Sequence, residues 1–168
     1  RTPDAIRSRP MTLPTSRGTR RRGALLLADI SGYTSFLHGV ADAHRDLIME
    51  ADEPPQAYGL VSSLLDAMVE RIAPQFRLVK FEGDALFAVA DDPGLEMRGP
   101  SVLACLRGCH AAFQALLAEA GTQWTCTCTA CARIHDLGLK LILHHGDYVA
   151  QPIAGREELA RHYAPVVY

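Results

Sequence analysis

The sequence predicts an α+β fold, a ferredoxin-like antiparallel sheet with helices packed on one face. Three observations carry that expectation. A short apolar run, Ala24-Leu25-Leu26-Leu27-Ala28, ends in Asp29 and the turn signal Ser31-Gly32, the pattern of a buried strand. Two further apolar runs, Val79–Phe81 and Ala85–Val89, flank Glu82-Gly83-Asp84 and read as a hairpin with Asp84 at its tip. Leu60, Leu64, Leu65, Met68 and Ile72, and later Val102, Leu106, Cys109, Phe113, Leu116 and Leu117, recur at helical spacing. The implied order is β-α-α-β-β-α-β-β, with a split βαβ unit at its heart.

In chain order, residues 1–22 are rich in Arg, Pro, Ser and Thr and poor in large apolar side chains. Such a segment cannot bury enough surface to offset its ordering entropy and is expected to be a disordered basic tail, with Met11 an alternative start. The domain proper is expected over residues 23–168. A short helix follows the first strand from Tyr33 to Val40, and residues 41–55, ending in Pro54-Pro55, form a turn-rich connection. The amphipathic helix 56–72 stops before Pro74. Strands are expected at 76–81 and 85–90, and a loop over 91–100. A long helix then starts near Ser101 and ends near Gly121. Gly138 to His145 reads as an apolar strand, residues 147–153 as its hairpin mate, and 156–161 as a last short helix. The sheet is expected to bury Leu25, Leu27, Phe81, Leu86, Phe87, Leu141 and Leu143 against the helices.

Composition narrows the function. With 48% apolar and 21% charged residues the body can form a proper core, and no unbroken apolar run approaches the ~18 residues of a membrane span. The net charge of −2 hides an asymmetry: residues 1–22 hold seven arginines and one acid, leaving ten basic and eighteen acidic side chains, near −8, in the rest. That balance argues against general nucleic-acid binding. Five cysteines, three of them within six residues, do not suggest an oxidised secretory framework, so a cytoplasmic location is expected.

Two aspartates at the mouths of buried strands suit a divalent cation carrying a phosphate substrate, because magnesium is usually held by one or two carboxylates plus phosphate oxygens. Ala28-Asp29-Ile30-Ser31-Gly32-Tyr33-Thr34-x-Phe36, then Lys80-Phe81-Glu82-Gly83-Asp84-Ala85-Leu86-Phe87, then His145-Gly146-Asp147, resembles the catalytic domain of class III nucleotide cyclases. Within that superfamily it is most similar to an uncharacterised bacterial branch with a Cys-x-Cys-x-x-Cys segment before the third motif. The resemblance runs from about Gly23 onward. It implies that Asp29 and Asp84 hold Mg²⁺ or Mn²⁺, with the Ile30 carbonyl as a further ligand. Backbone N–H groups of Ser31, Gly32 and Tyr33 would meet phosphate. It also implies that Lys80 reads the purine, favouring ATP over GTP, that His145-Gly146 makes a hairpin turn, and that the site forms between two subunits of a homodimer. The family's transition-state asparagine and arginine are not found. If Ala164-Pro165-Val166-Val167 fills the turn before their helix, a truncated domain is expected. The alternative is therefore a catalytically degenerate regulatory or interaction module that binds nucleotide or metal.

Cys126, Cys128 and Cys131 form a second constellation, near enough in sequence to share one tetrahedral ion, with Cys109, Cys105 or His110 as the expected fourth ligand. Thiolates select zinc or iron–sulfur over magnesium. Structural zinc, free or redox-active thiols, and a disulfide all stay open on the sequence. On the cysteines alone, a small thiol-dependent redox sensor is a third functional reading.

Overall fold

In the computed structural model, which describes residues 18–50, 55–91, 99–153 and 156–160, thirteen residues, Thr19–Ser31, form the central strand β1. Burial along it alternates. Ala24, Leu26, Ala28 and Ile30 are at most 1% exposed, while Leu25, Leu27 and Asp29 lie on the opposite face and are only half-buried. Helices α1 (Tyr33–Ala43), α2 (Arg45–Glu50) and α3 (Gln56–Ile72) follow. The hairpin β2 (Arg77–Glu82) and β3 (Ala85–Asp91) comes next, and then α4 (Gly99–Gln123). A one-turn helix α5 (Thr129–Ala132), a 3₁₀ turn, β4 (Gly138–Ile153) and β5 (Arg156–Ala160) complete the described elements. The five strands are ordered β2-β3-β1-β4-β5, and every pairing is antiparallel.

One face of this sheet carries the core. Leu26, Ala28, Ile30, Leu86 and Ala88 pack with Leu64, Met68 and Ile72 of α3 and with Cys109, Phe113 and Leu117 of α4. Full burial is worth roughly 1.5–3 kcal/mol for each large side chain. By length and composition alone α4 is long and apolar enough to cross a membrane, which qualifies the sequence reading. Its buried positions Val102, Cys109, Phe113 and Leu117 belong to the main core, while only 22% of its most apolar stretch is buried.

Several expectations are corrected. The buried parity of β1 is the reverse of the expected one: Leu26, not Leu25 or Leu27, faces the helices, because side chains alternate with period two. Phe81 and Leu143 are exposed at 47% and 44% rather than buried. The basic tail is shorter than expected, since Thr19–Arg22 already belong to β1 and pair with Asp147–Ala150, and Arg20 meets Asp147 at 2.7 Å. Residues 1–17 lie outside the described residues.

His145-Gly146 is not a hairpin turn. β4 runs straight through it, with Gly146 opposite Gly23, because the extended β1 supplies a partner from Gly138 to Ala150. Gly23 is squeezed from the other side, where a Cβ would run into the Ala90 carbonyl. Arg156–Ala160, good helix formers, are a strand instead of a helix. They pair with Val149–Ile153, and Glu157 is tied to Arg21 at 3.0 Å and to Arg77 at 2.6 Å, so tertiary pairing overrides local propensity. Those ion pairs join β5 to β2 across the open face. Beneath them Val89, Tyr148 and Ala150 form a small second core with Leu25, Val79 and Leu159. The other end of the open face, where Asp29 lies, has no such cover among the described residues.

Candidate functional site

Asp29 is the third residue from the end of β1, directly opposite Ala85 of β3 and Lys140 of β4. Asp84 immediately precedes Ala85, in the two-residue turn Gly83-Asp84 that joins β2 to β3. Gly83 takes φ +65°, a left-handed conformation that glycine adopts without Cβ strain, and this keeps the turn tight. The β1–β3 register therefore brings the two carboxylates to one end of the sheet. Burial first, and the Asp29 charge after it, push the Asp84 carboxyl above its ordinary value, against a backbone hydrogen bond that lowers it. Two carboxylates at one end of the sheet form a donor set of hard oxygens suited to a divalent cation.

The neighbouring residues fall as follows. Ile30 buries its side chain in the core and is paired opposite Leu139, and Ser31 is opposite Gly138. Gly32 is the N-cap of α1 at φ +86°, and its carbonyl accepts from the Phe36 N–H at 2.9 Å. No side chain caps this helix start, so its first-turn N–H groups are left for another acceptor. Lys80 lies opposite Phe87, just past a register shift between Leu78 and Lys80. Phe87 in turn pairs with Leu27, so Lys80 shares the open face with Asp29. Its ammonium is 2.6 Å from Glu82 Oε1 and 5.9 Å from the Phe87 ring centre. Lys140, which sequence reasoning passed over, is a cation opposite Asp29, a position that only strand register reveals.

The three clustered cysteines converge, but on a partner the sequence reading did not name. His44, the C-cap of α1, places Nε2 3.3 Å from Cys126 Sγ, 3.3 Å from Cys128 Sγ and 3.8 Å from Cys131 Sγ. All four ligand atoms lie within 4.8 Å of one another. The expected fourth ligands are elsewhere. Cys109 is fully buried in the main core, where burial and then Cys105 push its thiol up to about 11. The Cys105 thiol donates to the Arg71 carbonyl at 3.1 Å, and His110 is exposed on α4. Burial opposes ionisation of Cys128, but hydrogen bonds from the Cys131 N–H, from the Cys131 and Cys126 thiols and from His44 outweigh it and bring the thiol down to about 6. Cys131, by contrast, is pushed up to about 12 by burial and by Cys128 and Cys126, with Trp124 pulling the other way. Nothing in the spacing of His44 marks it as a ligand, since it lies 82 residues before Cys126.

This sheet order and helix placement is the fold of nucleotide cyclase catalytic domains, as comparison with solved structures shows. The adenylyl cyclase CyaB from P. aeruginosa superposes with a TM-score of 0.62 at 14% identity, over 86% of this chain and 68% of that one. A bacterial light-regulated adenylyl cyclase gives 0.59 at 13% identity, over 86% of this chain and 37% of that one. The guanylyl cyclase Cya2 gives 0.57 at 16% identity, over 86% and 66%. The chain thus spans little more than a third of the light-regulated enzyme and just under two thirds of Cya2. By sequence, the chain belongs to the family described as "Protein of unknown function (DUF2652)", matched over residues 61–166. No curated protein matches it.

Proposed function

We propose that this is a purine nucleotide cyclase domain of the class III type, converting ATP rather than GTP to the 3′,5′-cyclic nucleotide and pyrophosphate. One observation carries the reading: the β1–β3 register sets Asp29 beside Asp84 at the uncovered end of the sheet. Magnesium or manganese held there would supply charge that lowers the pKa of the ribose 3′-hydroxyl and neutralises the leaving pyrophosphate. Asp29 and Asp84, with the Ile30 carbonyl, would hold the cation. The uncapped N–H groups after Ser31 and Gly32, at Tyr33 and beyond, would bind phosphate oxygens at the positive end of α1. Lys80 would leave Glu82 to donate to an adenine ring nitrogen, a contact that guanine's donor edge does not accept. Leu27 and the 49% exposed Ile142 lie on the same open face and offer an apolar surface to a second copy, so a homodimer is part of the proposal, as is a cytoplasmic setting.

A second reading, a regulatory module that has kept the fold, is favoured by two details. Lys80 is already paired with Glu82, and β4 lacks the hairpin that the resemblance implies at His145-Gly146. One assay separates them: full chain with manganese and ATP or GTP, followed by mass spectrometry for cyclic product. Cyclic nucleotide that falls roughly 10²-fold or more in Asp29→Asn and Asp84→Asn supports the enzyme, the scale of losing a transition-state charge partner. Manganese-dependent nucleotide binding without any cyclic product supports the module.

A further inference from the structure

The group formed by His44, Cys126, Cys128 and Cys131 belongs to neither reading, and we propose that it binds one zinc ion in a closed, tetrahedral Cys₃His site. Ordinary hydrogen bonding does not account for the arrangement. A ring nitrogen makes one hydrogen bond, as donor or as acceptor, yet three sulfurs crowd within 3.8 Å of His44 Nε2. Four ligands around zinc, with Zn–S near ~2.3 Å and Zn–N near ~2.0–2.1 Å, stand about 3.5–3.8 Å apart by tetrahedral geometry. The observed separations from the imidazole, 3.3 to 3.8 Å, already match that shell. Three thiolates and an imidazole are soft and borderline donors, which favours zinc over the oxygen-seeking magnesium.

The surroundings suit a bound ion as well. The Cys131 N–H donates to Cys128 Sγ at 3.3 Å, which makes Cys128 the N-cap of α5 and orients its sulfur. The Trp124 indole N–H, two residues before Cys126, is buried without a hydrogen-bond partner. Gly39 brings α1 against α5 so closely that a Cβ there would lie 3.0 Å from the Ala130 methyl. Residues 124–133 contribute few large side chains to the core, so an ion would anchor this segment to the far end of the helix that starts at Gly32. α1 would then be fixed at both ends, by the sheet at one and by the metal at the other.

The test uses no nucleotide, so it succeeds or fails independently of the cyclase proposal. Full chain purified under reducing conditions without chelator should carry close to one zinc per chain. Cobalt(II) replacing that zinc should give the thiolate charge-transfer and ligand-field bands of a tetrahedral site. His44→Ala and Cys128→Ser should lose the metal, whereas Cys109→Ser and His110→Ala should keep it. His44→Cys, which preserves four ligands, should retain the metal and shift the cobalt spectrum toward a four-thiolate type, a readout that a merely structural histidine would not move. Metal-free protein that takes up neither zinc nor cobalt would overturn the proposal. So would full zinc retention in His44→Ala or an iron-coloured preparation.

Discussion

Truncating Leu26 and Leu27 separately tests which face of β1 carries the core, and with it where Asp29 points. Leu26 is 0% exposed and packs among α3 and α4 side chains. Leu26→Ala therefore loses both the transfer free energy and the cavity cost, about 2–5 kcal/mol. At ~2–4 °C per kcal/mol for a domain of this size, the melting temperature should fall by roughly 4–20 °C. Leu27 is only half-buried on the open face, so Leu27→Ala should cost below about 1.5 kcal/mol, half or less of a full leucine burial. The charged versions sharpen the contrast: Leu26→Asp should prevent folding, and Leu27→Asp should remain soluble. Denaturant titration with an unchanged slope would show that stability alone has moved. Asp29 shares the parity of Leu27. A larger loss at Leu27 than at Leu26 would therefore turn Asp29 under the helices and refute both the register argument and the proposed cation site.

Three further outcomes are expected. Because the folded-state pKa of Asp84 is raised, the folded chain prefers its protonated form, and stability falls as pH rises from the ordinary 3.8 through the raised value. Asp84→Asn should then melt no lower than wild type at pH 7. The gap should close toward pH 3.8, and manganese should stabilise only the wild type; a variant that melts well below wild type at pH 7 would mark the carboxylate as structural. Gly32→Ala forces a Cβ into φ +86° and should cost about 1–2 kcal/mol in thermal melts, while a neutral effect would argue against the left-handed cap. Glu157→Gln removes the ion pairs to Arg21 and Arg77 and should lower stability by about 1 kcal/mol or less, an effect that shrinks in high salt. Salt-independent loss would point to packing of β5 instead.

What the sequence determined by itself is the set of elements whose signals are local. The helix 56–72 is bounded by Pro55 and Pro74 and patterned by Leu64, Met68 and Ile72, and the structure has it at Gln56–Ile72. Glu82-Gly83-Asp84 between two apolar runs could only be a tight hairpin, so Asp84 was legible as a turn residue. Parity was not legible in Ala24–Ala28, because every residue there is small or apolar and the run carries no alternation to read. The strand character of Arg156–Ala160 was hidden for a related reason: its residues favour helix locally, and only β4, Arg21 and Arg77 impose extension. His44 was the deepest omission. A ligand shell is closed by distance in space, and only the packing of α1 against the segment 126–131 brings that imidazole to the three sulfurs.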